Sequence, residues 1–446
     1  MEAILQELKD KFSNDNDFFA QRDYLFEAPV VLLGFRTLID LTKTKLTLQK
    51  YIDTAIATKQ TLDELKLIIG EVKDKEINGN EAIRAITQGK LIIYFENDPT
   101  YVVAEPIMKL LDRAIEPPIN ENVILGSISS FTEDIHSNIG ILRKQLNSDK
   151  IRVNSYFLGS DETTELSLLY YEGYVNMELI HKIITQIEKN KSKEINNLQK
   201  LSRLMGFNSW VTISKFNQTE LPQEAANFLR KGRAILFLDR LPVALVLPAQ
   251  FWDVFVLDSD RNLPLPLMLF LRALRIMGAL VTLTLPGLYV ALVSVNPEVL
   301  RIELALSIAQ SREGVPYPAI VEILLMLVIL ELIIEASIRL PKNIGPTITM
   351  VGGIILGQAV VQAKLVSNLL IIILAATTIA NSTIIGLQTT LSLRVSKYVI
   401  VILASIYGVL GILEGLVLVC AYIASLTTFG IPYVYFHTEK DEVKNG

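Results

Sequence analysis

The pattern of apolar and polar positions divides the chain at about residue 262. Before this point apolar residues recur at helix or strand spacing among frequent charges, and after it long apolar runs follow one another. The pattern predicts a soluble α+β region of two subdomains, residues 1–117 and 118–262. It also predicts an α-helical transmembrane domain of four to five spans over residues 263–435, and a short polar tail over residues 436–446.

The soluble region contains three predicted β-hairpins. Strand-forming runs flank polar turns in residues 89–106, 151–171 and 232–248, and the apolar residues of Met177–Lys189 fall on one helical face. The first 70 residues are predicted to be mostly helical, with one short strand after Pro29. The first and third hairpins share one layout. Each begins with a glycine and a basic residue, continues with an apolar run and a polar turn that contains proline, and ends with a second apolar run. This indicates either an internal repeat or a general property of hairpins.

The first predicted membrane span is Ile276–Val295. It holds twenty residues without a charge, which is enough to cross a hydrocarbon core of about 30 Å. Arg272 and Arg275 precede it, and the positive-inside rule then places the soluble region in the cytoplasm. Residues 296–318 are mixed in polarity and form either an outer loop or a helix in the membrane interface.

Three further apolar runs predict spans at Ala319–Ala336, Val366–Leu387 and Tyr398–Leu426. Between the first two of them, residues 348–363 are short and rich in glycine. This run is either a complete span, which gives five crossings, or a re-entrant segment. The second alternative gives four crossings and returns the C-terminus to the cytoplasm.

Two carboxylates interrupt the second predicted span. Glu331 and Glu335 are four residues apart and share one helical face. A carboxylate in a membrane span costs roughly 2.5 kcal/mol or more, so it normally faces a partner or a water-filled path. Both residues are therefore candidates for lining or gating a cation path. The alternative is a structural role, which the i,i+4 spacing of Glu335 and Arg339 favours.

The glycine-rich run offers a second candidate for an ion path. Gly352, Gly353 and Gly357 would let a helix approach a pore axis closely, and Gln358 would offer polar atoms to ions. The alternative is close packing of helices through small residues, which is common in membranes.

Composition removes several classes of function. A net charge of −5 argues against a nucleic-acid-binding protein. The single cysteine, Cys420, excludes a disulfide framework within one chain. The N-terminus has no basic segment followed by an apolar stretch, so it is not a signal peptide. No nucleophile, phosphate-loop or dinucleotide motif is present, and we expect neither an enzyme nor a bound cofactor or metal.

Five strings in collinear order carry a resemblance to a known family. They are Glu116–Lys144, Ser311–Pro318 (SREGVPYP), Glu335–Gly345 (EASIRLPKNIG), Val351–Ser367 (VGGIILGQAVVQAKLVS) and Phe429–Tyr433 (FGIPY). Together they resemble the A subunit of the GerA-type nutrient germinant receptors of endospore-forming bacteria. In the third hairpin the chain has Asp239-Arg240-Leu241-Pro242 where the family usually has Asp-Gly-Ser/Thr-Pro.

The resemblance implies a multi-pass protein of the spore inner membrane. It implies two partners, a transporter-like B subunit that binds the nutrient and a lipoprotein C subunit. It also implies self-association into a ring that forms a ligand-gated channel, whose opening releases monovalent cations during germination.

Six residues of these strings are candidates for coupling to the gate or for contacts between subunits: Arg312, Glu313, Pro316, Phe131, Glu133 and Asn138. The simpler alternative is an exposed turn for the first three and core packing for the others.

Two other functions remain open on the residues alone. A secondary transporter would show two matching halves with broken helices, whereas only one glycine-broken segment is visible. A membrane scaffold that only holds partners would not need the glutamates inside its spans.

Overall fold

The computed structural model describes residues 3–25, 28–74, 79–109, 117–118, 129–160, 163–340 and 345–435. The chain forms two compact units, one made of residues 1–210 and 215–249 and the other of residues 211–214 and 250–446. The predicted polar tail, residues 436–446, lies outside the described residues, and so does Glu116 of the predicted boundary at residues 116–118.

The first unit begins with a five-stranded antiparallel sheet in the order β1-β2-β4-β5-β3. Its elements are α1 (Ala3–Lys11), β1 (Phe18–Leu25), β2 (Ala28–Phe35), α2 (Leu41–Ala57), α3 (Leu62–Ile69), β3 (Gly70–Asp74), α4 (Gly79–Thr87), β4 (Leu91–Phe95) and β5 (Thr100–Ala104).

A second five-stranded antiparallel sheet follows in the order β6-β7-β9-β10-β8. Its elements are α5 (Ile135–Leu146), β6 (Ile151–Leu158), β7 (Thr164–Tyr171), α6 (Met177–Lys189), α7 (Leu198–Leu204), β8 (Asn217–Thr219), α8 (Pro222–Arg230), β9 (Ala234–Leu238) and β10 (Ala244–Leu247).

The two sheets are copies of one arrangement. Each half runs helix, two strands, two helices, strand, helix and two strands, and in each half the third strand lies at the edge beside the fifth. The hairpins that look alike in sequence, β4–β5 and β9–β10, occupy equivalent places. The internal repeat therefore explains the similarity better than a general property of hairpins.

A buried ion pair joins the two copies. Arg143 on α5 donates from Nε to Asp17 at 2.7 Å and from Nη2 to Asp15 at 2.6 Å. Its guanidinium lies 3.7 Å from the ring centre of Phe35 on β2. Burial raises the pKa of Asp15, although the Arg143 charge opposes the rise. Removal of either partner would leave a buried charge without compensation. The ion pair therefore holds α5 of the second copy against the segment between α1 and β1 of the first.

The second unit is helical. Its elements are α9 (Leu265–Val290), α10 (Ile302–Ser311), α11 (Ala319–Arg339), α12 (Gly345–Gln362), α13 (Asn368–Asn381), α14 (Leu387–Tyr407), α15 (Val409–Ser425) and the short strands β11 (Thr427–Thr428) and β12 (Ile431–Pro432). Among the residues that the structure describes, two segments are long and apolar enough to cross a membrane by length and composition, Leu265–Val295 and Gln388–Tyr407.

The predicted last span, Tyr398–Leu426, is wrong as a single helix. The chain turns at Gly408, whose φ of +62° favours glycine, and α14 and α15 form a helical hairpin. The side-chain oxygen of Asn296 accepts a hydrogen bond from the backbone N–H of Val409 at 3.1 Å and stabilises the turn. The predicted span Val366–Leu387 is also too long, because α13 ends at Asn381.

The other predictions for this unit agree better with the structure. The first span extends further at its N-terminal end, as α9 begins at Leu265. The glycine-rich run is one continuous helix, α12, of 18 residues. The mixed segment contains α10, whose Ile302 and Leu306 are exposed; its place in an outer loop or in the membrane interface stays a prediction. The number of spans stays a prediction.

Candidate functional site

A buried carboxylate connects three helices and a loop of the helical unit. Glu322 lies in the first turn of α11 and is 1% exposed. One of its oxygens accepts from the backbone N–H of Ser367 at 2.6 Å, and the other accepts from the hydroxyl of Tyr289 on α9 at 3.1 Å. Arg312 completes the set, with its Nε 3.4 Å from the same carboxylate. A buried charge with this many partners is held in place.

Two of the sequence strings meet at Glu322. Ser311–Pro318 provides Arg312, which also donates to the carbonyl of Tyr317 at 3.1 Å. The string Val351–Ser367 provides Ser367, which caps α13 by accepting from the N–H of Leu370 at 3.2 Å. The site is therefore a junction where α9, α11 and the start of α13 are locked to the loop after α10.

Glycine at position 314 is part of the same junction. Gly314 has a φ of +86°, and a Cβ built there would lie 2.7 Å from the Cδ of Lys364. Glu313 and Pro316 are exposed on the same loop. Of the three loop residues predicted to couple the gate, Arg312 alone is thus tied into the helices, and the other two face outward.

The Glu331 carboxylate also has partners within the chain. It accepts from Lys397 on α14 at 3.1 Å and from Arg394 one turn earlier. Glu335 accepts from Arg339 at 2.7 Å on the exposed part of α11. Both glutamates predicted to line an ion path are therefore paired with cations in this structure.

A small cavity with a mixed polar and apolar lining lies beside the Glu331 cluster. Its lining includes Glu331, Arg394, Lys397, Thr377 and Asn381. The Oδ1 atom of Asn381 and the Nε atom of Arg394 are buried without a hydrogen-bond partner among the described residues. Both atoms therefore have an unused capacity for a hydrogen bond next to the Glu331 cluster.

The glycine-rich helix α12 presents an open face. Nothing in the described part of the chain lies within 4 Å of a Cβ built at Gly353 or Gly357. Gln358 is exposed, and so are Ile354 and Ile355. The side-chain surroundings of Gly352 lie outside the described residues. Among the described residues, Gly353 and Gly357 therefore do not serve to pack α12 against another helix of the same chain.

The three candidates in the first unit differ from one another. Phe131 is 4% exposed and its ring centre lies 5.0 Å from that of Phe237 in the core. Asn138 is buried, and its amide donates to the carbonyl of Thr132 at 2.6 Å and accepts from the N–H of Thr132 at 2.8 Å. Glu133 is exposed. The core-packing alternative accounts for the first two.

Comparison with known proteins identifies the family. The profile of the Bacillus/Clostridium GerA spore germination protein matches residues 6–444. The chain belongs to the GerA family. It is 32% identical to "Spore germination protein GerLA" of Bacillus cereus over 96% of this chain and 88% of that protein. It is 28% identical to "Spore germination protein A1" of Bacillus subtilis (strain 168) over 84% and 77%.

One more relative and one solved structure also match the chain. The chain is 32% identical to "Uncharacterized membrane protein YfkQ" of Bacillus subtilis (strain 168) over 75% of this chain and 65% of that protein. A crystal structure of the N-terminal domain of the A subunit of the Bacillus megaterium spore germinant receptor GerK3 matches 55% of this chain and 94% of its own, with 18% identity and a TM-score of 0.41.

The last family string, Phe429–Tyr433, also has a defined place in this GerA-family chain. Its β11–β12 hairpin brings Tyr433 against Phe251, with ring centres 6.3 Å apart, and the N–H of Phe251 donates to the carbonyl of Tyr433 at 3.0 Å. Burial raises the pKa of the Tyr433 hydroxyl, which stays neutral. The string thus holds the segment that enters α9 against the end of α15.

The entrance to α9 has a second fixed point. Asp260 is 2% exposed and is bidentate with Arg275, whose Nη2 lies 2.9 Å from Oδ1. Arg275 also donates to the carbonyl of Phe255 at 3.0 Å. Arg275, one of the two arginines that precede the first predicted span, is therefore also the residue that fixes this connector.

Proposed function

We propose that this chain is the A subunit of a spore nutrient germinant receptor that oligomerises into a ligand-gated channel for monovalent cations. In this proposal the chain crosses the spore inner membrane several times with its N-terminal region in the cytoplasm. Membership of the GerA family supports the receptor role. The observation that carries the channel role is the open face of α12.

The glycines of α12 differ from the glycines of the neighbouring helices. A Cβ at Gly287 on α9 would lie 3.3 Å from Ile400, and one at Gly415 would lie 2.8 Å from the same residue. Those glycines make room for a helix of the same chain. Gly353 and Gly357 have no such neighbour among the described residues. In this proposal their partner is a second copy of the chain or an aqueous path.

A ring of copies would satisfy this face. Small residues let helices from neighbouring protomers come close, and the exposed Gln358 would then supply amide oxygens near the axis. Carbonyl and amide oxygens are suited to replace the water around a monovalent cation. Gly352, Gly353, Gly357 and Gln358 are therefore our proposed pore residues.

Glu331 and Glu335 enter the proposal as gating residues. Each carboxylate already has a cationic partner, so neither is available as a cation ligand without rearrangement. The pairs of Glu331 with Arg394 and Lys397 hold α11 against α14. Exchange of these partners provides two discrete arrangements, which a gate requires.

The outer loop and the soluble unit would connect this gate to the other subunits. Glu313 and Pro316 are exposed at the junction that Arg312 ties to Glu322. We assign them to contact with the transporter-like B subunit or the lipoprotein C subunit. Glu133 is the exposed candidate for a contact in the soluble unit.

The proposal is tested by cation efflux from liposomes that carry this chain with its partner subunits. The parent should release K⁺ when the nutrient is added. Gln358→Ala should change the rate, and Leu413→Ala, an exposed position on α15, should not. No efflux from the parent complex would leave a scaffold role, whereas equal rates in all three proteins would spare the channel and reject α12 as its lining.

A further inference from the structure

A short segment from the soluble half of the sequence is part of the helical unit. Residues 211–214 belong to that unit, and the backbone of Thr212 forms hydrogen bonds with two of its helices. The N–H of Thr212 donates to the hydroxyl of Tyr422 on α15 at 3.1 Å, and its carbonyl accepts from the hydroxyl of Ser392 on α14 at 2.7 Å.

These two contacts lie at the open end of the α14–α15 hairpin. A Cβ at Gly411 would overlap the carbonyl oxygen of Leu403, and one at Gly415 would lie 2.8 Å from Ile400. This register is antiparallel, and it places Ser392 and Tyr422 at the same height. At about 1.5 Å per residue both lie roughly 21–24 Å from the turn at Gly408.

That height approaches the expected far edge of the hydrocarbon. A bilayer core is about 30 Å thick, so a hairpin with its turn at one surface brings Ser392 and Tyr422 to within about 6–9 Å of the other. The chain becomes polar there, since Gln388, Thr389 and Thr390 precede Ser392. Thr212 therefore lies at the end of the hairpin that approaches this surface, close to where the chain becomes polar.

Trp210 precedes this fixed point by two residues. Its side chain is 92% exposed, and its N–H donates to the side chain of Asn208 at 3.0 Å within a short turn. Two peptide units keep its Cα within about 8 Å of that of Thr212. Tryptophan is enriched at the headgroup level of membranes, where the ring is shielded and its N–H still finds an acceptor.

We propose that Trp210 places its indole ring in the headgroup region of the bilayer and anchors the 208–214 segment to the membrane surface. The proposal rests on the membrane location given above, but not on ion conduction. The ligand is a phospholipid surface, with the ester carbonyls and phosphates as acceptors for the indole N–H.

Fluorescence quenching tests this proposal directly because the chain has only two tryptophans. The full-length Trp252→Phe variant leaves Trp210 as the single emitter in vesicles of phosphatidylglycerol and phosphatidylethanolamine. We expect emission at shorter wavelength than in water, strong quenching by lipids brominated near the headgroup, and at least a several-fold weaker effect of aqueous iodide. The difference between the parent and Trp210→Phe gives the same signal if Trp252→Phe does not fold.

The outcomes separate this inference from the proposed function. If the protein does not float with vesicles in a density gradient, the membrane location fails and both proposals fall. If it floats but iodide quenches Trp210 fully, the anchor alone is rejected. Protection from both quenchers would mean that a protein surface covers the ring, and this too would overturn the lipid anchor.

Discussion

The α14–α15 hairpin and helix α12 are both apolar and rich in small residues, but they use glycine differently. In the hairpin, Gly411 and Gly415 lie where a methyl group would meet Leu403 or Ile400. In α12, Gly353 and Gly357 face open space among the described residues. The first arrangement completes a fold within one chain. The second leaves a surface that no described residue of the chain covers.

The difference shows what a glycine in a membrane helix indicates. A glycine that is already in contact is explained by the protomer, and substitution should act on stability. A glycine without a contact is not explained by the protomer, and substitution should act on assembly or transport. The predictions below compare the packed and the open surfaces on this basis.

The largest effect is expected at the centre of the packed region. Glu322→Ala removes the acceptor shared by Tyr289 and the N–H of Ser367 and leaves Arg312 without its charge partner. Loss of one member of a buried charged set costs roughly 3–5 kcal/mol. Thermal unfolding in detergent should show a large fall in Tm. The control Glu313→Ala, on the exposed part of the same loop, should unfold like the parent.

A smaller loss of stability is expected inside the hairpin. Gly411→Ala places a methyl group on the carbonyl of Leu403, and such overpacking costs about 1–3 kcal/mol. Its matched control is Gly357→Ala, which adds the same methyl group to the open face and should change unfolding by less than about 0.5 kcal/mol. Equal melting curves for the two variants would remove the distinction between the surfaces.

The open face should respond in a different assay. Gly357→Leu adds bulk where nothing described in this chain is displaced, so the detergent-solubilised protomer should unfold as the parent does. Self-association in membranes should fall, because the small-residue surface is lost. Chemical cross-linking in vesicles measures this. Unchanged cross-linking would show that copies do not meet through α12.

The smallest effect is expected at the exposed end of α11. Glu335→Gln breaks an i,i+4 pair with Arg339 whose side chains are 56% and 78% exposed. Such pairs are worth about 0.3–0.5 kcal/mol. Urea unfolding should barely shift, whereas Glu331→Gln, which faces the two buried cations Arg394 and Lys397, should shift it clearly. The reverse order would contradict our assignment of the two glutamates.

Local patterns in the sequence predicted much of the first unit. The helix Met177–Lys189 and all three hairpins are confirmed, because their periodicity and turns are encoded in neighbouring residues. Strand β1 was missed. Its consecutive exposed residues Ala20, Gln21 and Arg22 interrupt the alternation of buried and exposed positions by which a strand is recognised. Its assignment depends on pairing with β2.

The helical unit was harder to predict because its decisive contacts are distant in sequence. The turn at Gly408 lies within one apolar run, and Asn296, which stabilises it, is 113 positions away. Glu322 was not selected as a site, since its partners Tyr289 and Ser367 are 33 and 45 positions away. The open face of α12 was also invisible, because a glycine has the same sequence signal whether or not it is packed.

Water access to Gln358 during conduction tests the central claim most directly. Gln358→Cys in a Cys420→Ala background gives one thiol on the open face of α12. A charged, membrane-impermeant thiol reagent should then reduce nutrient-triggered K⁺ efflux from liposomes carrying the receptor subunits. The control Leu413→Cys in the same background should be unaffected. Efflux that continues unchanged after Gln358→Cys has reacted, or a thiol that never reacts while ions flow, would contradict an ion path along α12.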